Sequence, residues 1–133
     1  MIHELRCYKT IPGKKAALIH RFFNGTFALF EQHGFKLICF WERPDADELW
    51  YVLEWPGRDE MARGWELLKS DNAWKKLKAT SEAEGPLIES VSSVVLVSVL
   101  KQFELDESVV IQKGSVLIRL EALDVDGGEP AAV

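Results

Sequence analysis

The chain has 133 residues, 47% of them hydrophobic, with five Trp and seven Phe, a length and apolar content that suit one well-filled core. Acidic residues (21) outnumber Lys and Arg (16), for a formal charge of −5, and no basic run offers the phosphate-neutralising face that a nucleic-acid binder needs. No apolar stretch is long enough to span a membrane, so the pattern predicts neither a nucleic-acid partner nor a membrane span.

Residues 2–10 read as a strand, with Ile2, Glu4, Arg6 and Tyr8 on one face and His3, Leu5, Cys7 and Lys9 on the other. Pro12 suits a helix start, and the segment from there to His33 sets Leu18, Phe22 and Leu29 beside Ile19, Phe23 and Phe30 in a broad apolar stripe. Gly34 ends it, as a glycine after the last helical turn commonly does. "FKLICFWER" and "ELWYVLEW" then form a hairpin around the turn-forming "PDAD". With those four residues as the loop, Arg43 lies opposite Glu48 and Trp41 opposite Trp50.

The next segment, "PGRDEMARGWELLKSD", carries Met61, Trp65 and Leu68 at helical spacing. A second helix restarts behind Ser70 or Asp71 as cap, and Gly85 and Pro86 end it. "ESVSSVVLVSVL" is a fourth strand, and the order is βαββαβ. This is the split βαβ of the ferredoxin-like fold, an α+β architecture with strand order 4-1-3-2 and both helices on one face of an antiparallel sheet. The fourth strand is too apolar on both faces to be wet, and a second copy of the sheet is the simplest cover. "SVVIQKGSVLIRLEAL" predicts an added C-terminal β-hairpin around Lys113 and Gly114, and "DVDGGEPAAV" has the composition of a frayed end.

Four short pieces fall in order and register: "MIHELRCYKTIPGK", "KLICFW", "LEW" and "DNAW". Together they resemble the NIPSNAP family of dimeric α+β barrels over about residues 1–99, leaving 100–125 as a β extension and 126–133 as tail. That family opens on roughly Tyr-Glu-Leu-Arg-x-Tyr and then Pro-Gly, matched here by Glu4, Leu5, Arg6, Tyr8, Pro12 and Gly13, with His3 in place of the aromatic. The family's Asp-x-x-Trp falls on Asp71 and Trp74. The resemblance implies a homodimeric α+β barrel of undefined biochemical activity. Several relatives of this barrel bind or degrade haem through a later His, and this chain has no His after residue 33.

Glu4 and Arg6 are two opposite charges on one face of a central strand, where a lone charge is costly to bury. One reading is an internal ion pair that fixes register, with Glu54 on the adjacent strand as a further partner for Arg6. The other is a polar end to an apolar pocket, in which Glu4, Arg6, Tyr8, Trp41, Glu54 and Trp65 contact a small hydrophobic or aromatic molecule. Trp65 and Trp74 also suit plain core positions.

There is no P-loop, dinucleotide fingerprint, HExxH or GxSxG, and the histidines at 3, 20 and 33 lack metal-ligand spacing, so neither cofactor nor metal is expected. Two function classes stand. One is a binding dimer for a small, largely apolar molecule. The other is a cofactor-free monooxygenase or isomerase acting on aromatic or polyketide-like substrates, in which Arg6 or Tyr8 stabilises an oxyanion and Glu4 or Glu54 is the base. The first fourteen residues lack the apolar run of a signal peptide, and Cys7 and Cys39 read as two reduced, buried thiols of a cytoplasmic protein.

Overall fold

A computed structural model describes residues 1–100, 109–112 and 115–118, and divides the chain into one unit at Met1–Val97 and a second at Ser98–Val133. In the first unit, β1 (Ile2–Thr10) leads through a Pro12–Gly13 turn into a helical rod. The rod consists of α1 (Lys15–Arg21), a π-helical turn (Phe22–Thr26) and α2 (Phe27–Gln32). There follow β2 (Lys36–Arg43), β3 (Glu48–Trp55), α3 (Arg58–Ser70), α4 (Asn72–Ser81) and β4 (Ile88–Leu96). All strand pairs are antiparallel in the order β2-β3-β1-β4, the ferredoxin-like order expected. The hairpin register also follows the expectation, with Arg43 opposite Glu48 and Trp41 opposite Trp50.

Gly34 closes the rod at φ +75°, a left-handed backbone that a Cβ would strain, while the Phe35 amide donates to the Phe30 carbonyl at 2.8 Å. Of the two candidate caps before α4, Asp71 is the one used: its carboxylate accepts from the Ala73 amide at 2.7 Å. One detail of the stripe differs from expectation. Phe22, Leu29 and Phe30 are buried, but Phe23 is 67% exposed. The π turn winds more loosely than an α-helix and lags in phase, so Phe30 falls in line with Phe22 and Phe23 turns outward.

The core lies between the helices and one sheet face. Tyr8 from β1 and Leu49, Tyr51, Leu53 and Trp55 from β3 point there, because alternate residues of a strand share a face. The opposite face carries Leu5, Cys7, Cys39, Trp41, Trp50 and Val52, and within this unit no helix covers it. Cys7 and Cys39 are therefore half-buried and free instead of buried. Val91, Val94 and Leu96 of β4 are 45–49% exposed, so the fourth strand leaves apolar surface open on both sides.

In the second unit β5 (Val109–Gln112) pairs antiparallel with β6 (Ser115–Ile118), as the added hairpin requires. Its Lys113–Gly114 turn and the tail at 126–133 lie outside the described residues. Among the described residues no helix is long and apolar enough to cross a membrane.

Candidate functional site

The alternation of β1 sends Glu4, Arg6 and Tyr8 toward the helices, into a polar patch of the core. Glu4 is 2% exposed, and its carboxylate is met from four sides. Oε1 accepts from the indole N–H groups of Trp55 (3.0 Å) and Trp65 (2.8 Å), and Oε2 from Arg6 Nη1 (2.8 Å) and Ser93 Oγ (2.6 Å). Burial alone would raise this carboxyl, but the hydrogen bonds from Ser93, Trp65 and Arg6, with the Arg6 charge, overcome it and hold the group below its ordinary value. An acid so fully donated to is an anchor, since taking up a proton would cost it those bonds.

Arg6 sits in the middle of the array. Its Nε donates to Tyr51 Oη at 3.0 Å and its Nη2 to Tyr8 Oη at 3.3 Å, while its guanidinium lies 4.1 Å from the Trp65 ring centre. Burial works against this cation, yet the tyrosines and Glu4 hold it more firmly charged than a free arginine. Tyr8 and Tyr51 touch oxygen to oxygen at 2.7 Å, and burial pushes the Tyr51 hydroxyl well above its ordinary value.

Above this array opens a cavity of about 360 Å³ between the sheet, the π turn, α3 and α4. Its apolar wall includes Phe22, Phe30, Trp65, Leu68 and Trp74, and Arg6 and Tyr8 form a polar end. Arg21 also lines it. That side chain is almost fully buried, paired to Glu82 at 2.9 Å and packed over Trp74, with its Nε unpartnered.

Of the six residues singled out from sequence, Arg6, Tyr8 and Trp65 meet at the cavity and Glu4 lies bonded behind them. Trp41 and Glu54 fall on the opposite sheet face. Glu54 is not the partner of Arg6: it lies across from His3 in the ladder and pairs with His3 (3.1 Å) and Lys36 (2.6 Å), which hold its carboxyl below the ordinary range. The sequence reading missed Tyr51 and Ser93, which are the two cross-strand neighbours of Arg6, in β3 and β4. Knowing the β1 register would have found both.

No family model matches the sequence, and no curated protein matches it. Solved structures do resemble the fold. A NIPSNAP domain protein from Burkholderia xenovorans superposes with a TM-score of 0.64 at 19% identity, covering 74% of this chain and 94% of that one. A NIPSNAP family protein from Agrobacterium tumefaciens gives 0.64 at 19% identity, covering 72% and 90%. A putative antibiotic biosynthesis monooxygenase from Nitrosomonas europaea gives 0.54 at 11% identity, covering 74% and 98%. At these identities the likeness is one of fold, and the fold is that of NIPSNAP domain proteins, shared more distantly with the monooxygenase.

Proposed function

We propose that the protein is a NIPSNAP-like homodimer of the cytoplasm that holds a small, largely apolar molecule between its sheet and helices. The observation that carries this reading is the cavity: about 360 Å³, with the rings of Phe22, Phe30, Trp65 and Trp74 in its apolar wall and Arg6 and Tyr8 converging at one end. The open sheet face supports the dimer. Leu5, Trp41, Trp50 and Val52 form an apolar patch there, and its charges already neutralise one another in the groups His3–Glu54–Lys36 and Arg43–Glu48. Such a patch with a paired polar rim suits a second copy of itself. The two free thiols suit a reducing compartment. Thermal-shift screening of aromatic compounds, with mass spectrometry of whatever co-purifies, tests the ligand; a library without a single stabilising compound and a protein that purifies empty would count against it.

The second reading is a cofactor-free monooxygenase or isomerase, favoured by the distant fold likeness and by Arg6 and Tyr8, which are placed to hold an oxyanion. It lacks a base among the described residues of the cavity. Glu4 is occupied by four donors, and Glu54 faces the other way. Oxygen uptake by any compound found to bind, without added cofactor, would promote it.

A further inference from the structure

We infer that the molecule held in this cavity is an aromatic carboxylate, its anionic oxygens taken by Tyr8 and Arg6; this rests on reading the cavity as a small-molecule site. The hydrogens at the polar end require an acceptor. Three contacts tie Arg6, Tyr8 and Tyr51 together, and two of them use N–H groups of Arg6. Only one tyrosine O–H can lie in the third, the 2.7 Å contact between the hydroxyls. Tyr51 is fully buried, so its hydrogen has nowhere else to go and must point to the Tyr8 oxygen. The Tyr8 O–H is then left over, on a residue that lines the cavity.

Arg6 adds to the unmet donors. A guanidinium has five N–H groups, and the contacts to Glu4, Tyr51 and Tyr8 occupy three of them. Arg21 contributes a buried Nε without a partner to the same lining. Arg6, Tyr8 and Arg21 thus offer donors, against a single hydroxyl oxygen of Thr26 as acceptor among the described side chains of the lining, a balance that disfavours an amine and favours a group with several lone pairs.

Charge narrows the choice from a carbonyl to an anion. Among the described residues no Asp or Glu lines the cavity, while Lys69, Lys75 and Lys78 stand exposed on its rim and none of the three is ion-paired. Arg6 and Arg21 have Glu4 and Glu82 to balance them, so these lysines leave the mouth net positive on a chain whose overall formal charge is −5. The aromatic wall of Phe22, Phe30, Trp65 and Trp74 supplies flat apolar surface for the rest of the molecule.

Calorimetric titration of the whole protein with naphthalene-2-carboxylate, naphthalene-2-carboxamide and 2-naphthylmethylamine tests this, because the three share one ring system and differ in the end group. The carboxylate should bind about tenfold or more tighter than the amide, in line with a charge-assisted hydrogen bond, and the amine more weakly than either. Its affinity should fall as salt rises, and the amide's should not. Tyr8→Phe should narrow the gap between carboxylate and amide, with the unfolding midpoint followed in parallel. Equal binding of carboxylate and amide would overturn the anion assignment and leave the cavity reading standing. Failure of all three to bind would remove the cavity reading together with it.

Discussion

Replacing Glu4 tests whether the buried charge array holds the fold together. In Glu4→Ala, Arg6 loses its only counter-ion among the described residues, and the indole N–H groups of Trp55 and Trp65 lose their acceptor. Removing one partner of a buried ion pair costs about 3 to 5 kcal/mol. Glu4→Gln is milder. Its amide oxygen can still accept both indoles, and Ser93 can turn to accept from the new NH2, but that NH2 faces Arg6 donor to donor. The loss is then one charge-assisted hydrogen bond, about 1.5 to 3 kcal/mol. With a urea slope of about 2 kcal/mol/M, the alanine variant should shift the midpoint down by about 2 M and the glutamine variant by about 1 M. Arg6→Ala should match Glu4→Ala, and Glu4→Leu combined with Arg6→Leu should recover part of the loss, held short of the parent by the orphaned indoles. Protein concentration is kept fixed, because dimerisation would otherwise contribute to the midpoint. An alanine variant as stable as the parent would refute the array as a stabilising element.

The same carboxylate predicts a pH dependence. Its folded value is depressed from an ordinary 4.5, so the unfolded chain takes up the proton first as pH falls; the stability it contributes is complete above that ordinary value and drains away as pH drops through the folded one. Asp71 and Glu54 are depressed too, so the diagnostic quantity is the gap between parent and Glu4→Gln, which should close on acidification; a gap constant down to about pH 3 would contradict the assignment. Gly64→Ala sets helix propensity against packing. A Cβ there would meet the Trp55 ring at 2.6 and 2.7 Å, so the gain of about 1 kcal/mol in α3 should be outweighed by about 1 to 3 kcal/mol of overpacking, with a changed near-ultraviolet tryptophan signal; a more stable variant would show that the ring moves freely. Light scattering at low micromolar concentration should give twice the chain mass, and Trp41→Glu, which sets a charge into the open sheet face, should give a folded monomer. A parent that is already monomeric would defeat the dimer.

Much of the fold was legible because it rests on local signals. Strand alternation, the "PDAD" loop and the glycines at 34 and 85 each act within a few residues; they marked out the elements and the hairpin register, and the βαββαβ succession then led to the strand order through the ferredoxin-like topology. Phe23 was misphased because a five-residue π turn has no mark in the apolar spacing that an α-helix would not also show. The site was half legible. Glu4, Arg6 and Tyr8 share one strand, so their common face followed from parity alone, whereas Tyr51 and Ser93 reach Arg6 only through pairings between distant segments. The placement of Trp41 and Glu54 had a signal that went unused. On β3, Leu49, Tyr51, Leu53 and Trp55 form one apolar set, and Glu48, Trp50, Val52 and Glu54 the mixed one. The uniform set marks the helix side, and Trp41, opposite Trp50, belongs with the mixed set.

The two readings of the opening charges, a structural pair and a pocket end, are joined by the geometry of one guanidinium. Arg6 is planar and spends its donors in different directions: one on Glu4, one on Tyr51, one on Tyr8, with its face on Trp65. A lysine could neutralise Glu4 but could not hold two tyrosine oxygens and an indole face in one arrangement. Glu4 in turn fixes both Arg6 and the indole of Trp65, a wall of the cavity, through its two oxygens. Saturating the carboxylate therefore does two things at once. It offsets the cost of burying a charge, and it locks the side chains that line the cavity, so that ligand binding need not spend free energy on ordering them. On this argument Arg6→Lys should keep more stability than Arg6→Ala yet bind naphthalene-2-carboxylate no better than Arg6→Ala does. Urea midpoints and titrations on the two variants separate the roles, and a lysine variant with parental affinity would show that charge alone, without the planar fork, suffices at this site.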